Sequence, residues 1–505
     1  MKMPRDRIIF CLVLALAAAL RLWMLDIKPA HFDEGVNGWF ADRITETGYY
    51  QYDPTNYHGP LHMYAVYVSQ TLFGRNLWAL RLPAVLASLL AVWGIWRFRE
   101  FFGSRAAGFA SLAMAVSPAF VFYGRYSIHE SWLVFFLLLT AHGIIGLWTD
   151  GGRRHLTGLV AGITGMVLTK ETYAIHLVSF VLAGGVLAIW EKVIPSVPAF
   201  RLARPHFSPG DFWVRVGSGA VVIFAFYSGF FLNVGQVSGL WETFAAWFKT
   251  GVEAAGHEKE GHQVGFLNYY WLELIARYEW ASLLGLAACF ACIGRTDARV
   301  RYLAITGGGV LLAYSLIPYK TPWCIISLLW PFLLVAGWWL AKQRNGLFAV
   351  LGTLAIAGGV ISSLTLNFRD FANDRHPYVY VQTDPQVNIA VGPLLQKAAA
   401  DPRFYHAPGR VILSSYYPLP WILGDFTRVG YYSEDDIPER IDAAFVICSE
   451  EQADRVQAAL SGPYYRRDFL LRSGMEMCSV FFRAAEFSTQ LGGSPNVAGP
   501  QPPLQ

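Results

Sequence analysis

Apolar residues in this chain come in long, nearly unbroken blocks, without the short alternations of a water-soluble fold. The blocks cover 8–25, 77–96, 106–122, 129–148, 156–170, 174–190, 215–234, 279–294, 302–317, 323–341 and 346–366. A helix that crosses hydrocarbon needs about 20 mostly apolar residues, fewer where neighbours shield its ends. The pattern therefore predicts a polytopic α-helical membrane domain over residues 1–366 with about 11 transmembrane helices. Lys170 and Glu171 separate two of the shorter blocks. The first block has the basic flank and small residues of a secretory signal, but Arg21 and the bulky "RLWML" at its end argue for a retained span.

Beyond residue 366 the pattern changes. Short β-like runs ("YVYVQT", "RVILSSY", "AAFVIC", "CSVFFR") alternate with helix-like ones ("NIAVGPLLQKAAA", "EEQADRVQAAL"). Strands interleaved with helices predict a small α/β domain over 367–486. The Gly/Pro-rich stretch 487–505 has little to bury and is expected to be disordered.

Composition agrees with many spans: 54% of the 505 residues are hydrophobic and only 15% charged, against about a quarter charged in soluble domains. The net charge of +4 is too small to suggest a nucleic-acid partner. Its distribution is more informative, because Lys and Arg concentrate in cytoplasmic connections. "RFREFFGSR", "DGGRRH", "RLARPH", "GRTDARVR" and "KQRN" fall on one side with the N-terminal Lys2, Arg5 and Arg7; "HFDEG", "YGRYSIHE", "KETY", "GHEKEGHQ" and "YKTP" fall on the other. The expectation is a multi-pass protein of a cytoplasmic (inner) membrane, N-terminus inside and C-terminal domain extracytoplasmic. Of the six Cys, Cys289 and Cys292 have CxxC spacing inside an apolar run, where two buried thiols are the simpler reading; Cys448 and Cys478 either form a disulfide or stay separate.

The first outward loop, about 26–76, carries the chemistry-bearing residues. "FDEGVNGWFADRITETG" can form a helix with Asp33 and Glu34 in its first turn, where acids suit the positive helix end; on the bland reading they do nothing more. "PLHMYAVYVSQTLFG" has the apolar, aromatic face of a helix lying in the interface. Other outward connections place Arg81, Arg125, Glu130, Lys170, Glu171 and Lys320 close to spans. A charge at membrane depth costs about 2.5–3.5 kcal/mol on insertion scales. Several at one depth are better explained by a shared polar cavity, although Arg75 and Arg81 can equally snorkel to the headgroups. Such a set of carboxylates, cations and aromatics fits a lipid-linked sugar phosphate. Lys and Arg meet the phosphate, the sugar stacks on Trp39, Tyr57 or Tyr319, and a carboxylate deprotonates an acceptor hydroxyl.

These passages resemble the GT-C fold of polyprenyl-phosphate-sugar-dependent glycosyltransferases, in the protein O-mannosyltransferase and aminoarabinose-transferase-like branch. The likeness runs over about 8–341 and rests on "ALRLWML", "FDEG", "YHGPLHMY", "RLPAVLASLLAVWGIW", "SPAFVFYGRYSIHES", "GMVLTKETYAI" and "SLIPYKTPWCIISLLWPFLLVAGW". "YVYVQT", "YYPLPW" and "PYKTPW" are similar to a sub-family associated with flippase activity in surface glycosylation. The resemblance implies an inverting, mannosyltransferase-like glycosyltransferase with a polyprenyl-phosphate sugar donor and a glycan, lipid or protein acceptor. It makes Asp33 the catalytic base, with Glu34 positioning it, binding the acceptor or assisting a metal. Arg81, Lys170 and Lys320, and Arg125 by a looser match, become donor-phosphate ligands. At "KET" the sequence departs from relatives that follow the lysine with a small residue, which puts the role of Lys170 in question. His58 and His62, four apart, either hydrogen-bond at the interface or, with Asp33 or Glu34, bind a divalent cation; no metal is committed to. Two rival readings stay open: a flippase-associated or transport protein that binds lipid-linked glycans without bond chemistry, and a functional C-terminal domain merely anchored by the spans.

Overall fold

The computed structural model describes residues 5–56, 58–198, 202–256, 270–294, 296–318, 320–472 and 477–491. The Gly/Pro-rich tail from 492 onward, the outward connection "GHEKEGHQ" beyond Gly256, and the candidate residues Tyr57 and Tyr319 lie outside them. The chain divides into two compact units, one of residues 1–25 and 40–371, the other of residues 26–39 and 372–505.

Every one of the eleven apolar blocks is helical. The first unit contains α1 (Arg5–Leu22), most of α2 (Phe32–Thr47), α3 (Leu61–Phe73), α4 (Leu77–Arg97), α5 (Arg99–Phe102), α6 (Ser104–Val116), α7 (Pro118–Gly124), α8 (Glu130–Thr149) and α9 (Arg153–Val167). It continues with α10 (Tyr173–Val193), α11 (Pro209–Tyr227), α12 (Gly239–Gly256), α13 (Tyr270–Tyr278), α14 (Trp280–Ala288), α15 (Ala298–Leu316), α16 (Ile325–Lys342) and α17 (Gly346–Leu364). Among the described residues, five helices are long and apolar enough to cross a membrane by themselves, and up to seven if each of two bent pairs counts as one span. The remaining blocks are helices too short or too charged to qualify alone. They include α1, with Arg5, Asp6, Arg7 and Arg21, and α9, which has 15 residues.

One bent pair shows how a broken helix is kept in an apolar setting. Pro118 ends α6 and starts α7 at an angle of 56°, as a proline without an amide hydrogen must. The carbonyls left over at the break are taken by Arg21, which donates to Met114 (3.2 Å), Ala115 (2.9 Å) and Phe120 (3.3 Å). The amide end is taken by buried Glu279, whose carboxylate accepts from Ser117 Oγ (2.5 Å) and the Ala119 amide (2.8 Å). Orphaned backbone groups in a dry interior cost free energy unless partnered, so these two charged side chains are part of the fold. Elsewhere α8 and α9 pack backbone to backbone: a Cβ added at Gly143 would lie 2.6 Å from the Leu159 amide, and one at Gly162 2.3 Å from Thr140 Oγ1. Small residues permit this approach, as between helices in membranes.

The second unit is built on a five-stranded sheet of β1 (Gly409–Ile412), β2 (Val429–Tyr432), β3 (Phe445–Ser449), β4 (Tyr464–Leu470) and β5 (Met477–Arg483), in the order β2-β1-β3-β5-β4. The first three run parallel; β5 is antiparallel to both β3 and β4. Helix α18 (Val387–Ala400) buries Val387, Ala390, Val391, Leu394 and Ala398 on one face. On the other face α20 (Ala453–Ala459) buries Ala453, Val456 and Ala459; the short helices α19 (Leu419–Ile422) and α21 (Ala484–Phe487) complete the unit. Cys478 belongs to the first core and Cys448 to the second, so the sheet separates two buried thiols. "YVYVQT" forms no strand beyond an isolated bridge between Thr383 and Arg472. Strands β2 and β4 arise where none is expected from the sequence.

Candidate active site

The candidate residues occur in both units. In the second, α2 begins at Phe32 with both acids in its first turn. The residue before it, His31, acts as its cap: Nδ1 accepts the Asp33 amide hydrogen at 3.1 Å, and the Glu34 carboxylate reaches back to accept the His31 amide hydrogen at 2.9 Å. This is the reciprocal arrangement of a capping box, with an imidazole in place of the usual hydroxyl. Nε2–H donates to the Tyr380 carbonyl at 2.8 Å, which fixes the neutral tautomer. Burial, opposed by the charges of Asp33 and Glu34, holds the His31 pKa below its ordinary value.

The two adjacent acids therefore differ. Glu34 is fully buried and engaged in the cap. The Asp33 side chain is 37% exposed and lies 4.0 Å from Nδ1 of the neutral His31 ring. The first turns of α2 are covered by "YYPLPW": a Cβ on Gly35 would lie 2.5 Å from Pro418 Cβ, and one on Gly38 2.3 Å from Trp421 Cδ1. Phe32 meets Tyr417 edge-on at 5.4 Å and carries the Arg472 guanidinium over its ring at 5.2 Å. Arg472 donates in turn to the carbonyls of Ser415 and Tyr417. Trp39 is half-buried further along α2.

In the first unit, residues 58–61 run along 168–170. Gly59 and Leu61 donate to the carbonyls of Thr169 and Leu168, each at 3.0 Å, and a Cβ on Gly59 would collide with Leu168 at 2.3 Å. This pairing brings together side chains from three connections. Lys170 forms an ion pair with Glu130, both buried. His58 Nδ1–H donates to buried Glu171 at 3.0 Å, and His62 Nε2 hydrogen-bonds Ser127 Oγ at 3.0 Å. The His129 ring packs between His58 and His62, with centroids 4.5 and 4.8 Å away. Cys324, four residues beyond Lys320, lies close enough to Lys170 and Glu130 for their charges to act on it.

Lys170, Glu171, His58 and His62 are thus neighbours, whereas Arg81 and Arg125 have structural work. Arg125 donates to the carbonyls of Leu20 (3.0 Å), Arg21 (3.3 Å), Trp23 (2.7 Å) and Met24 (2.6 Å) at the end of α1. Arg81 donates to Leu25 at 2.7 Å. Cations there also suit the negative helix end. Buried Lys320 donates to the Ile317 carbonyl at 2.6 Å. Glu130, one of the charges that the sequence places near a shared cavity, is joined here by His129 of the same "SIHES" segment, for which the sequence suggests no role. Among the described residues the stacked imidazoles of His58, His62 and His129 do not converge their nitrogens on one point as a metal centre requires.

Residues 57–213 match the family model of dolichyl-phosphate-mannose-protein mannosyltransferase. Two crystal structures of ArnT from Cupriavidus metallidurans superpose over 97% of this chain and 99% of theirs. The apo form gives a TM-score of 0.62 at 17% identity, the form bound to undecaprenyl phosphate 0.61 at 16%. An oligosaccharyltransferase from Archaeoglobus fulgidus aligns over 93% of this chain and 74% of its own, with a TM-score of 0.48 at 12% identity. No curated protein matches the sequence. The chain has the polytopic GT-C fold of the ArnT structures and, over residues 57–213, is similar to the protein mannosyltransferases.

Proposed function

We propose that this protein transfers a sugar from a polyprenyl-phosphate-linked donor to an acceptor at the outer face of a cytoplasmic membrane, with Asp33 as general base. The observation that carries the reading is the asymmetry of the acid pair. Glu34 is consumed by the helix cap, while Asp33 is held by the same cap with its carboxylate exposed. Asp33 takes the proton of the acceptor hydroxyl, and the freed oxygen electron pair forms the bond to the anomeric carbon. The bond from that carbon to the phosphate oxygen breaks, its electron pair leaving with polyprenyl phosphate. Attack opposite the leaving group inverts the anomeric centre. Phosphate leaves readily once cations neutralise it, so one carboxylate suffices. We assign the donor phosphate to Lys320, Lys170, Arg81 and Arg125, each of which would share with it or give up a present partner: the Ile317 carbonyl, Glu130, the Leu25 carbonyl and the carbonyls at the α1 end. Support for the lipid class comes from the undecaprenyl phosphate of the ArnT structure that shares this fold.

The test uses purified protein in proteoliposomes with defined polyprenyl-phosphate sugars. Wild type is expected to release polyprenyl phosphate as the acceptor becomes glycosylated. Asp33→Asn should insert and fold normally but turn over about 10²–10⁴-fold more slowly, the usual contribution of a general base. Unchanged turnover in Asp33→Asn removes the base assignment. Movement of intact donor between leaflets without cleavage identifies a transporter instead.

A further inference from the structure

The α8–α9 hairpin carries a second polar cluster far from the one just described. Glu130 and Lys170 flank the α8 N-terminus and α9 C-terminus; His142 lies 12 residues along α8 from Glu130, ~18 Å at 1.5 Å per residue. There Glu100 of α5, His142 of α8 and His155 of α9 bring one donor atom each within 4.8 Å of one another. Glu100 and His155 belong to the segments "RFREFFGSR" and "DGGRRH", which the charge pattern assigns to the cytoplasmic side.

Three features distinguish this cluster from an ordinary ion-pair patch. First, His142 Nε2 is buried without a hydrogen-bond partner among the described residues, yet it stands 3.0 Å from Glu100 Oε1. Nε2 therefore makes no hydrogen bond in this geometry and is left available as a ligand atom beside the carboxylate. Second, His155 Nε2 lies 3.9 Å from Glu100 Oε1 and hydrogen-bonds Asp150 Oδ2 at 3.1 Å, which holds the ring beside the cluster. Arg154, 64% exposed, pairs with Asp150 at 3.3 Å and Glu100 at 3.9 Å, so a cation already occupies the rim that a metal would take over. Third, the rings are held in place. His155 lies flat on α8 where a Cβ at Gly146 would meet its Nδ1 at 2.0 Å, and Phe101 packs on both imidazoles at 4.9 and 6.2 Å. A metal-bound imidazole is oriented by such surroundings.

We propose that Glu100, His142 and His155 bind one divalent transition metal of the zinc type, which staples the turn after α4 to the α8–α9 hairpin. A tetrahedral zinc with bonds near 2.0–2.1 Å needs donor atoms ~3.3 Å apart, and the three donor atoms here lie within 4.8 Å of one another, with Glu100 3.0 and 3.9 Å from the two imidazoles. Two imidazoles in the donor set select against Mg²⁺ and Ca²⁺, which take oxygen.

The experiment titrates Co²⁺ into chelator-stripped, full-length protein in detergent and follows the visible bands of tetrahedral cobalt. Wild type is expected to bind one equivalent, displaced by Zn²⁺ and not by Mg²⁺, and to melt at higher temperature when loaded. Glu100→Gln and His142→Gln should each weaken binding about a hundredfold or more, at or above the upper end for outer-shell partners alone. His58→Ala should leave it unchanged. Glu100→Gln, at the exposed rim, keeps the test open should the His142 variant fail to fold. No cobalt binding by wild type, undiminished binding in Glu100→Gln, or bands lost in His58→Ala would each overturn the proposal.

Discussion

At the scale of single residues, two buried groups make opposite demands. His31 must stay neutral: its Nδ1 accepts the Asp33 amide hydrogen, and a proton there would set donor against donor. Its pKa is held below the ordinary value of about 6.5, chiefly by burial. The unfolded chain therefore binds a proton before the folded one does. The stability that neutral His31 contributes is intact above about pH 6.5 and is lost progressively as pH falls from there towards the lower folded value, at up to about 1.4 kcal/mol per pH unit. Unfolding of the full chain in detergent, followed from pH 7 to 5, should show this slope in wild type. It should be shallower in His31→Asn, whose amide oxygen caps the helix without titrating; equal slopes would exclude His31 as the titrating group. Lys170 must instead stay charged opposite Glu130. Lys170→Met leaves a buried carboxylate uncompensated and should cost about 3–5 kcal/mol, most of it recovered in Lys170→Met/Glu130→Gln. If the single variant is as stable as wild type, the ion pair is not structural and the phosphate role gains weight.

At the scale of elements, the decisive contact in the second unit is between the first turns of α2 and the "YYPLPW" turn. Gly38→Ala would drive a methyl into Trp421, at 2.3 Å in the unrelaxed geometry. Overpacking of this kind costs about 1–3 kcal/mol, and Gly38→Ala/Trp421→Leu should recover part of it when thermal unfolding is compared. The helices were legible in the sequence because a membrane span needs only a long apolar block, and each of the eleven blocks is helical. The sheet was legible only at its centre. β1, β3 and β5 bury both faces and read as apolar runs, whereas β2 and β4 are the edges. An edge strand is free to carry "RRD" or stay half-buried, so "VGYY" and "YYRRDFL" lack the pattern. "YVYVQT" has the composition of a strand, but its Tyr380 carbonyl is spent on His31 and Gln382 donates to the Pro29 carbonyl. That use of backbone groups 349 residues from His31 cannot be read from local periodicity.

At the scale of the whole molecule, the start of the connection after α1 does not group with the helices that flank it. Residues 26–39 belong with the C-terminal sheet, so the proposed base is built by two segments more than 300 residues apart. Sequence alone assigns Asp33 to the membrane domain and gives the C-terminal domain no part in building it. The structure gives that domain a direct part, because His31, Phe32, Gly35 and Gly38 are held by Tyr380, Tyr417, Pro418 and Trp421. Truncation after Phe371 leaves every apolar block in place, and insertion should be unchanged. It removes the acceptor for His31 Nε2–H and uncovers two glycines in the first turns of α2, so the cap should fray and the Asp33 carboxylate lose its fixed direction. Transfer should then fall as far as it does in Asp33→Asn, on any acceptor, small or large. A domain that only recruits the natural acceptor would instead leave a small soluble acceptor glycosylated at the full rate. Assaying the truncated protein on both kinds of acceptor separates a domain that builds the base from one that delivers its substrate.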